Sequence, residues 1–256
     1  MKSSARKFAV WTAVCALLAA LLAPAVANAQ HAAMEMFACN YLDGKNQEDL
    51  LGVAKEWDQW ADKHFSAPYN AYVMTPLFAN FDEHPDVIWL GVSDSPATMG
   101  KVNDEWLSKG KQQQANFDGV LSCGMHALLG AWRVRAYDKL GQSAYLQVQS
   151  CERKPGVSWA QIAKADADFA EWMTAHEIPG GFYRWSVGPG APKDSTADFY
   201  SVWMTESLEQ RGQGVEKFNA VETVPQDIYR IYGDDNLYDC DKPRVWYGQP
   251  VGGKSS

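Results

Sequence analysis

Five histidines, five cysteines and a few arginines on strand-like segments are the residues through which this 256-residue chain could do chemistry. His64 and His176 each follow a tryptophan, Trp60 or Trp172, by four residues, a spacing that puts ring and imidazole on one helical face. At a helix C-terminus such a histidine can bond terminal carbonyls and answer the helix dipole. At a cavity mouth the same side chain can move protons, so His64 and His176 are the candidate catalytic residues. His126 has no counterpart elsewhere in the chain, and His84 lies in the polar run Phe81-Asp82-Glu83-His84-Pro85, where solvation is expected. No H-x-x-H, H-E-x-x-H, EF-hand or paired Cys/His spacing occurs, so no metal site is expected. G-x-S-x-G, the P-loop and a strand-linked G-x-G-x-x-G are also missing, and no cofactor is expected.

The N-terminus predicts a compartment. Lys2, Arg6 and Lys7 precede an apolar run from Ala9 to Leu22, and Ala27-Asn28-Ala29 completes an A-x-A cleavage pattern. Residues 1–29 therefore read as a signal peptide, with a mature chain that is periplasmic or secreted and has no later segment long enough to span a bilayer. Removing the three basic residues of the signal takes the formal charge from −8 to −11. That acidity and the absence of any basic run argue against nucleic acid as a partner. Four cysteines remain, Cys39, Cys123, Cys151 and Cys240, which in an exported protein suggests two disulfides with three possible connectivities.

The chain also repeats itself. At an offset of 112 residues Cys39 meets Cys151, Gly44 meets Gly156, Trp60 meets Trp172, His64 meets His176, Asp86 meets Asp198 and Ser95 meets Ser207. One offset held over so long a stretch predicts an internal duplication, residues 30–141 and 142–256. Each copy reads alike. In the first, a strand over Met34 to Asn40 precedes an amphipathic helix over Asn46 to His64 with Leu50, Val53, Trp57, Trp60 and Ala61 on one stripe. Strands over Ala71 to Thr75 and Asp86 to Ser93, a helix from Ser95-Pro96 to about Gln113, and a last strand near Trp132 to Tyr137 follow. In the second, the strands are Tyr145 to Cys151, Phe182 to Val187, Asp198 to Thr205 and Arg244 to Tyr247. Its helices start at the capping box Ser158-x-x-Gln161 and near Ser207. The order is β-α-β-β-α-β, the ferredoxin-like unit of an α+β protein.

Two such units in one chain resemble the dimeric α+β barrel superfamily with its dimer fused, the group that includes antibiotic-biosynthesis-monooxygenase-like, EthD-like, NIPSNAP-like and stress-responsive barrel proteins. The resemblance implies two four-stranded sheets facing each other with helices outside, and a pseudo-dimer that can be a monomer. It implies no single chemistry, since the superfamily holds oxygenases, haem enzymes, isomerases, cyclases and lyases. Its haem-degrading members use an Asn, a Trp and a His; Asn40 and Trp89 stand on suitable strands here, but they face opposite sides and the His is missing. In the implied topology the last strand neighbours the first, which pairs Cys39 with Cys123 and Cys151 with Cys240.

Strand alternation sorts the remaining candidates. The more apolar face, with Met34, Met36, Ile88, Leu90, Leu146 and Val148, is expected under the helices. The other face is expected to line the space between the sheets with Tyr72, Trp89, Arg133, Arg184 and Trp203, the candidate ligand-binding residues. Such a chamber has aromatic walls and guanidinium groups suited to a small aromatic or acidic molecule; alternatively the arginines pair with Glu35 or lie at the rim. The functional expectation is thus an exported small-molecule-binding protein. A cofactor-independent oxygenase-like enzyme, a lyase on an acidic polysaccharide and a non-enzymatic envelope or stress protein are the alternatives.

Overall fold

The computed structural model describes residues 32–233 and 236–254. The expected signal peptide lies outside them. The first half contains β1 (Ala32–Tyr41), α1 (Gln47–His64), β2 (Tyr69–Phe78), β3 (Val87–Ser93), α2 (Pro96–Lys109), α3 (Lys111–Asp118) and β4 (Leu121–Arg135). The second contains β5 (Ala144–Arg153), α4 (Trp159–Ala175), β6 (Gly181–Val187), β7 (Phe199–Thr205), α5 (Leu208–Ala220), α6 (Val224–Tyr232), β8 (Tyr238–Cys240) and β9 (Arg244–Lys254).

Strands run β4-β1-β3-β2 in the first half and β9-β5-β7-β6 in the second, all antiparallel. The two four-stranded sheets were expected to face one another. They also join at both edges, β2 to β9 and β4 to β6, and so close into one eight-stranded barrel with no free edge. β8 pairs only with the end of β5. This double duty explains why β4 is longer than the expected 132–137: its first part pairs with β1 and its last part with β6.

Local chemistry accounts for the helices. Asn46 caps α1 by accepting from the Glu48 and Asp49 amides, and the buried stripe Leu50, Ala54, Trp57, Ala61 holds it on the sheet. The helix expected from Ser95 to Gln113 is two helices. It breaks at Gly110, where an added Cβ would fall 2.5 Å from the Trp106 ring and 2.7 Å from its carbonyl oxygen. Residues shared by the halves have shared tasks. Asp86 accepts from the Tyr41 amide and Asp198 from the Arg153 amide, while Ser95 and Ser207 both cap helices. Cys39–Cys123 ties β1 to β4 and Cys151–Cys240 ties β5 to β8, closing separations of 84 and 89 residues. In the chain-entropy account each such link contributes about 4–5 kcal/mol.

The strand faces are the reverse of the expectation. Met34, Met36, Ile88, Leu90, Leu146 and Val148 point into the barrel, not under the helices. Trp89 and Trp203 lie in the helix–sheet layers. Both faces of a closed, helix-covered sheet are buried, so apolarity alone does not say which is inner. Tyr72 does face the barrel, but Arg184, matched to it by the 112-residue offset, does not. Val73 pairs with Trp89, whereas Arg184 pairs with Ser201, the counterpart of Trp89. Strand β6 has therefore slipped by one residue relative to β2, and a slip of one exchanges faces.

Candidate functional site

The candidate ligand residues divide among three compartments. Under α1 and α2, the first-half helix–sheet layer is nearly filled. Trp57, Trp89, Trp60 and Trp106 meet edge to face at centroid distances of 4.8 Å (Trp57–Trp89) and 5.5 Å (Trp60–Trp106), with Phe117 5.1 Å from Trp89. About 80 Å³ stays open among these rings, beside Glu35, Tyr69 and Trp89, and a separate apolar pocket of about 320 Å³ lies between the start of α2 and β1 and β4. Glu35 is buried, and both its carboxylate oxygens are used. Tyr69 Oη donates to Oε1 at 2.6 Å, and His126 Nε2 lies 3.0 Å from Oε2. Trp89 Nε1 donates to Tyr69 Oη at 3.2 Å. Burial, reinforced by the neighbouring carboxylate, pushes the Tyr69 phenol well above its ordinary pKa. The Tyr69 ring tip fits only because residue 91 is glycine, whose Cβ would otherwise lie 1.9 Å from the hydroxyl oxygen.

The second-half layer, under α4, α5 and α6, is open. A pocket of about 350 Å³ lies over Gln147, Gln149 and Ser201, with Phe169, Trp203, Phe218 and Tyr232 among its walls. Position by position, Glu35 has become Gln147, Phe37 Gln149 and Trp89 Ser201, while Gly91 has become Trp203. Trp203 is held to one side by its Nε1 bond to the Pro179 carbonyl at 2.9 Å and by contact with Gly214. Arg211 donates to Gln147 Oε1, and Gln149 donates to the Asp241 carbonyl.

Arg184 lies beside this pocket without lining it. It is fully buried, paired with Asp166 through Nε and Nη2 and donating from Nη2 to Tyr238 Oη at 2.6 Å. Burial alone would lower its pKa, but Tyr238 and Asp166 hold it above the ordinary value. It also faces the rings of Phe182 and Phe199. Its counter-charge is therefore Asp166 on α4, not Glu35.

The third compartment is the barrel interior, a chamber of about 460 Å³ lined by Met34, Met74, Leu90, Leu146, Trp185 and other apolar side chains. Tyr72 and Arg133 are the two candidate ligand residues that reach it.

Neither candidate catalytic histidine lines a pocket described here. His64 stacks on Trp60 at 4.7 Å with Nδ1 2.7 Å from the Trp60 carbonyl, and His176 caps α4 4.6 Å from Trp172. His84 is not simply solvated: Arg244 Nε donates to its Nε2 at 2.7 Å. Residues that alternation did not single out are the Glu35–Tyr69–His126 set and Asp166, the partner of Arg184. The signal for both was a charge on a strand or helix face that had to be buried.

Haem, which the resemblance implies for some members, is not matched by the residues of the two helix–sheet pockets beside Glu35 and over Gln147. Haem iron needs an axial His, Cys, Met or Tyr. No histidine lines either helix–sheet pocket, Cys240 is in a disulfide, Tyr238 Oη is taken by Arg184, and burial and Tyr238 push the Tyr232 phenol well above its ordinary pKa. Met173 lies at the second pocket, but as an apolar wall of its core.

No protein-family profile and no curated protein matches the chain in sequence. Solved structures do match in fold. An anthrone oxidase-like protein is 9% identical with a TM-score of 0.51, covering 90% of this chain and 97% of its own. A monooxygenase-like protein from Lactobacillus acidophilus is 8% identical with a TM-score of 0.50, covering 87% and 94%. A chlorite dismutase-like protein is 13% identical with a TM-score of 0.48, covering 86% and 94%. At these identities the likeness is one of fold alone.

Proposed function

We propose that this chain is an exported pseudo-dimeric protein that binds a small aromatic molecule in the open helix–sheet pocket of its second half. The observation that carries the reading is the exchange of Trp89 and Phe37 in one half for Ser201 and Gln149 in the other. The exchange leaves about 350 Å³ with aromatic walls and a floor of neutral hydrogen-bonding groups. That size lies within the range of small-molecule sites, and such a floor orients a ligand carbonyl or hydroxyl without needing a counter-charge. Trp203 is the ligand-binding residue there; Arg184 is a positioning residue that fixes Tyr238. An oxygenase-like activity is the second reading, favoured by the fold shared with an anthrone oxidase-like and a monooxygenase-like protein.

Anthrone, a three-ring aromatic ketone, tests both. Titration of the protein purified from an exporting host, with the methionine methyls labelled, should shift Met173, which lines this pocket. W203A should weaken binding at least tenfold. No shift at Met173 and no effect of W203A would overturn the site. Oxygen uptake with bound anthrone would support an enzyme, and its absence would leave a binding protein. Intact mass from the same preparation reads cleavage after Ala29 and both disulfides.

A further inference from the structure

We infer a second, chemically different ligand site: the barrel interior holds an apolar monocarboxylate, its tail among the thioethers and its acid at Arg133. Protein interiors are packed as densely as organic crystals and leave few voids larger than a water. A chamber of about 460 Å³ is far outside that norm. It is roughly three times the ~150 Å³ engineered apolar cavity that stays dry and takes up benzene. Its depth is apolar, with Met74, Leu90, Leu146 and Trp185, so water there would find few of the polar partners it needs. Met34, Met74 and Met204 line it with flexible, polarisable chains that adapt to a variable tail.

The mouth is different. Arg133 opens onto the chamber from β4 and has no ion-pair partner among the described residues, in contrast to Arg184. Tyr72 and Tyr183 stand nearby; the Tyr183 hydroxyl accepts from the Tyr137 amide. A guanidinium at the edge of an apolar chamber suits a carboxylate, which it can hold bidentately. Asp94 shares the mouth. Its charge opposes a second anionic group, so one acid per ligand is favoured over a dicarboxylate.

The segment that joins the halves closes this end. Leu140, Gly141 and Gln142 lie at the mouth, and Gly141 has a φ of +88°, a backbone conformation that glycine accepts most readily. The site therefore uses strands of both halves and the linker between them, and it exists only in the closed barrel.

Methyl-labelled methionine tests this on the full chain, with decanoate as the probe and decanol as its uncharged match. Decanoate should shift Met34, Met74 and Met204 and leave Met173 unmoved. R133Q, at an exposed position where folding is not at risk, should weaken decanoate at least tenfold while leaving decanol unchanged. D94N should tighten decanoate. Shifts confined to Met173, no shift at all, or equal loss of decanoate and decanol in R133Q would each overturn the assignment. None of these readings depends on anthrone, so the two sites stand or fall separately.

Discussion

The helix–sheet layers of the two halves share strand order, and β1–β3 and β5–β7 share register, but the layers differ in content. In the first, aromatic rings fill the space and the one buried carboxylate is answered on both oxygens, by Tyr69 and His126. In the second, a salt bridge lies deeper, Asp166 to Arg184, and the space above the sheet is left open. The difference is made by a few exchanges on strands whose partners did not change, Trp89 for Ser201 and Gly91 for Trp203. One layer then serves mainly as core, and the other is free to hold a ligand.

The sharpest way to break this contrast is at the buried charges. D166A leaves the Arg184 guanidinium buried and unpaired, and urea unfolding should show a loss of about 3–5 kcal/mol. Replacing both partners at once, D166L with R184M, should recover most of that loss, since a packed apolar pair avoids the desolvation cost. If D166A is nearly neutral, the pair is not what holds α4 on β6. Next is the aromatic filling. W89A should cost about 3 kcal/mol in thermal or urea unfolding, while S201A should be close to neutral. The same W89A protein should gain a first-half cavity beside Trp57 and Phe117 that takes up xenon or benzene, a site separate from the barrel chamber and absent from wild type.

What could be read from the sequence followed from local rules. The capping residues Asn46, Ser95, Ser158 and Ser207 set helix starts, the 112-residue offset paired the halves, and both cysteine links followed from the strand order that the barrel resemblance implies. What could not be read depended on closure and register. Met34 and Glu35 were sorted onto opposite faces, yet which face was inner depends on the two sheets joining at their edges. Arg184 was placed in the barrel because the offset was carried through β6, where the pairing slips by one. No local signal marks such a slip. The second pocket was hidden for a related reason: Gln147, Gln149 and Ser201 share a face with Trp203, which was assigned to the space between the sheets, whereas that face lies under the helices.

The carboxylate network of the first half should respond more mildly than the salt bridge of the second. E35Q keeps an acceptor for Tyr69 but removes the charge facing His126, and a loss of about 1–2 kcal/mol is expected by urea unfolding. H126A should cost under about 1 kcal/mol, because that imidazole is 46% exposed. A larger effect of H126A than of E35Q would mean that the histidine, not the carboxylate, organises the pocket.

The smallest effect expected is one of pH, and it sits where the halves meet. His84, in the β2–β3 connection, accepts from Arg244 at the start of β9. Burial first, and then the neighbouring guanidinium, lower its pKa below the ordinary value near 6.5. The folded protein therefore binds fewer protons at this site than the unfolded chain over the interval just below pH 6.5. Stability contributed by neutral His84 is complete above that pH and declines as the pH falls toward the folded-state pKa. Unfolding free energies measured between pH 7.5 and 5 should show this decline, superimposed on that of the carboxylates, and H84Q should flatten it. A slope unchanged in H84Q would assign the acid sensitivity to other groups, and the β2–β9 seam would then rest on its backbone ladder rather than on this contact.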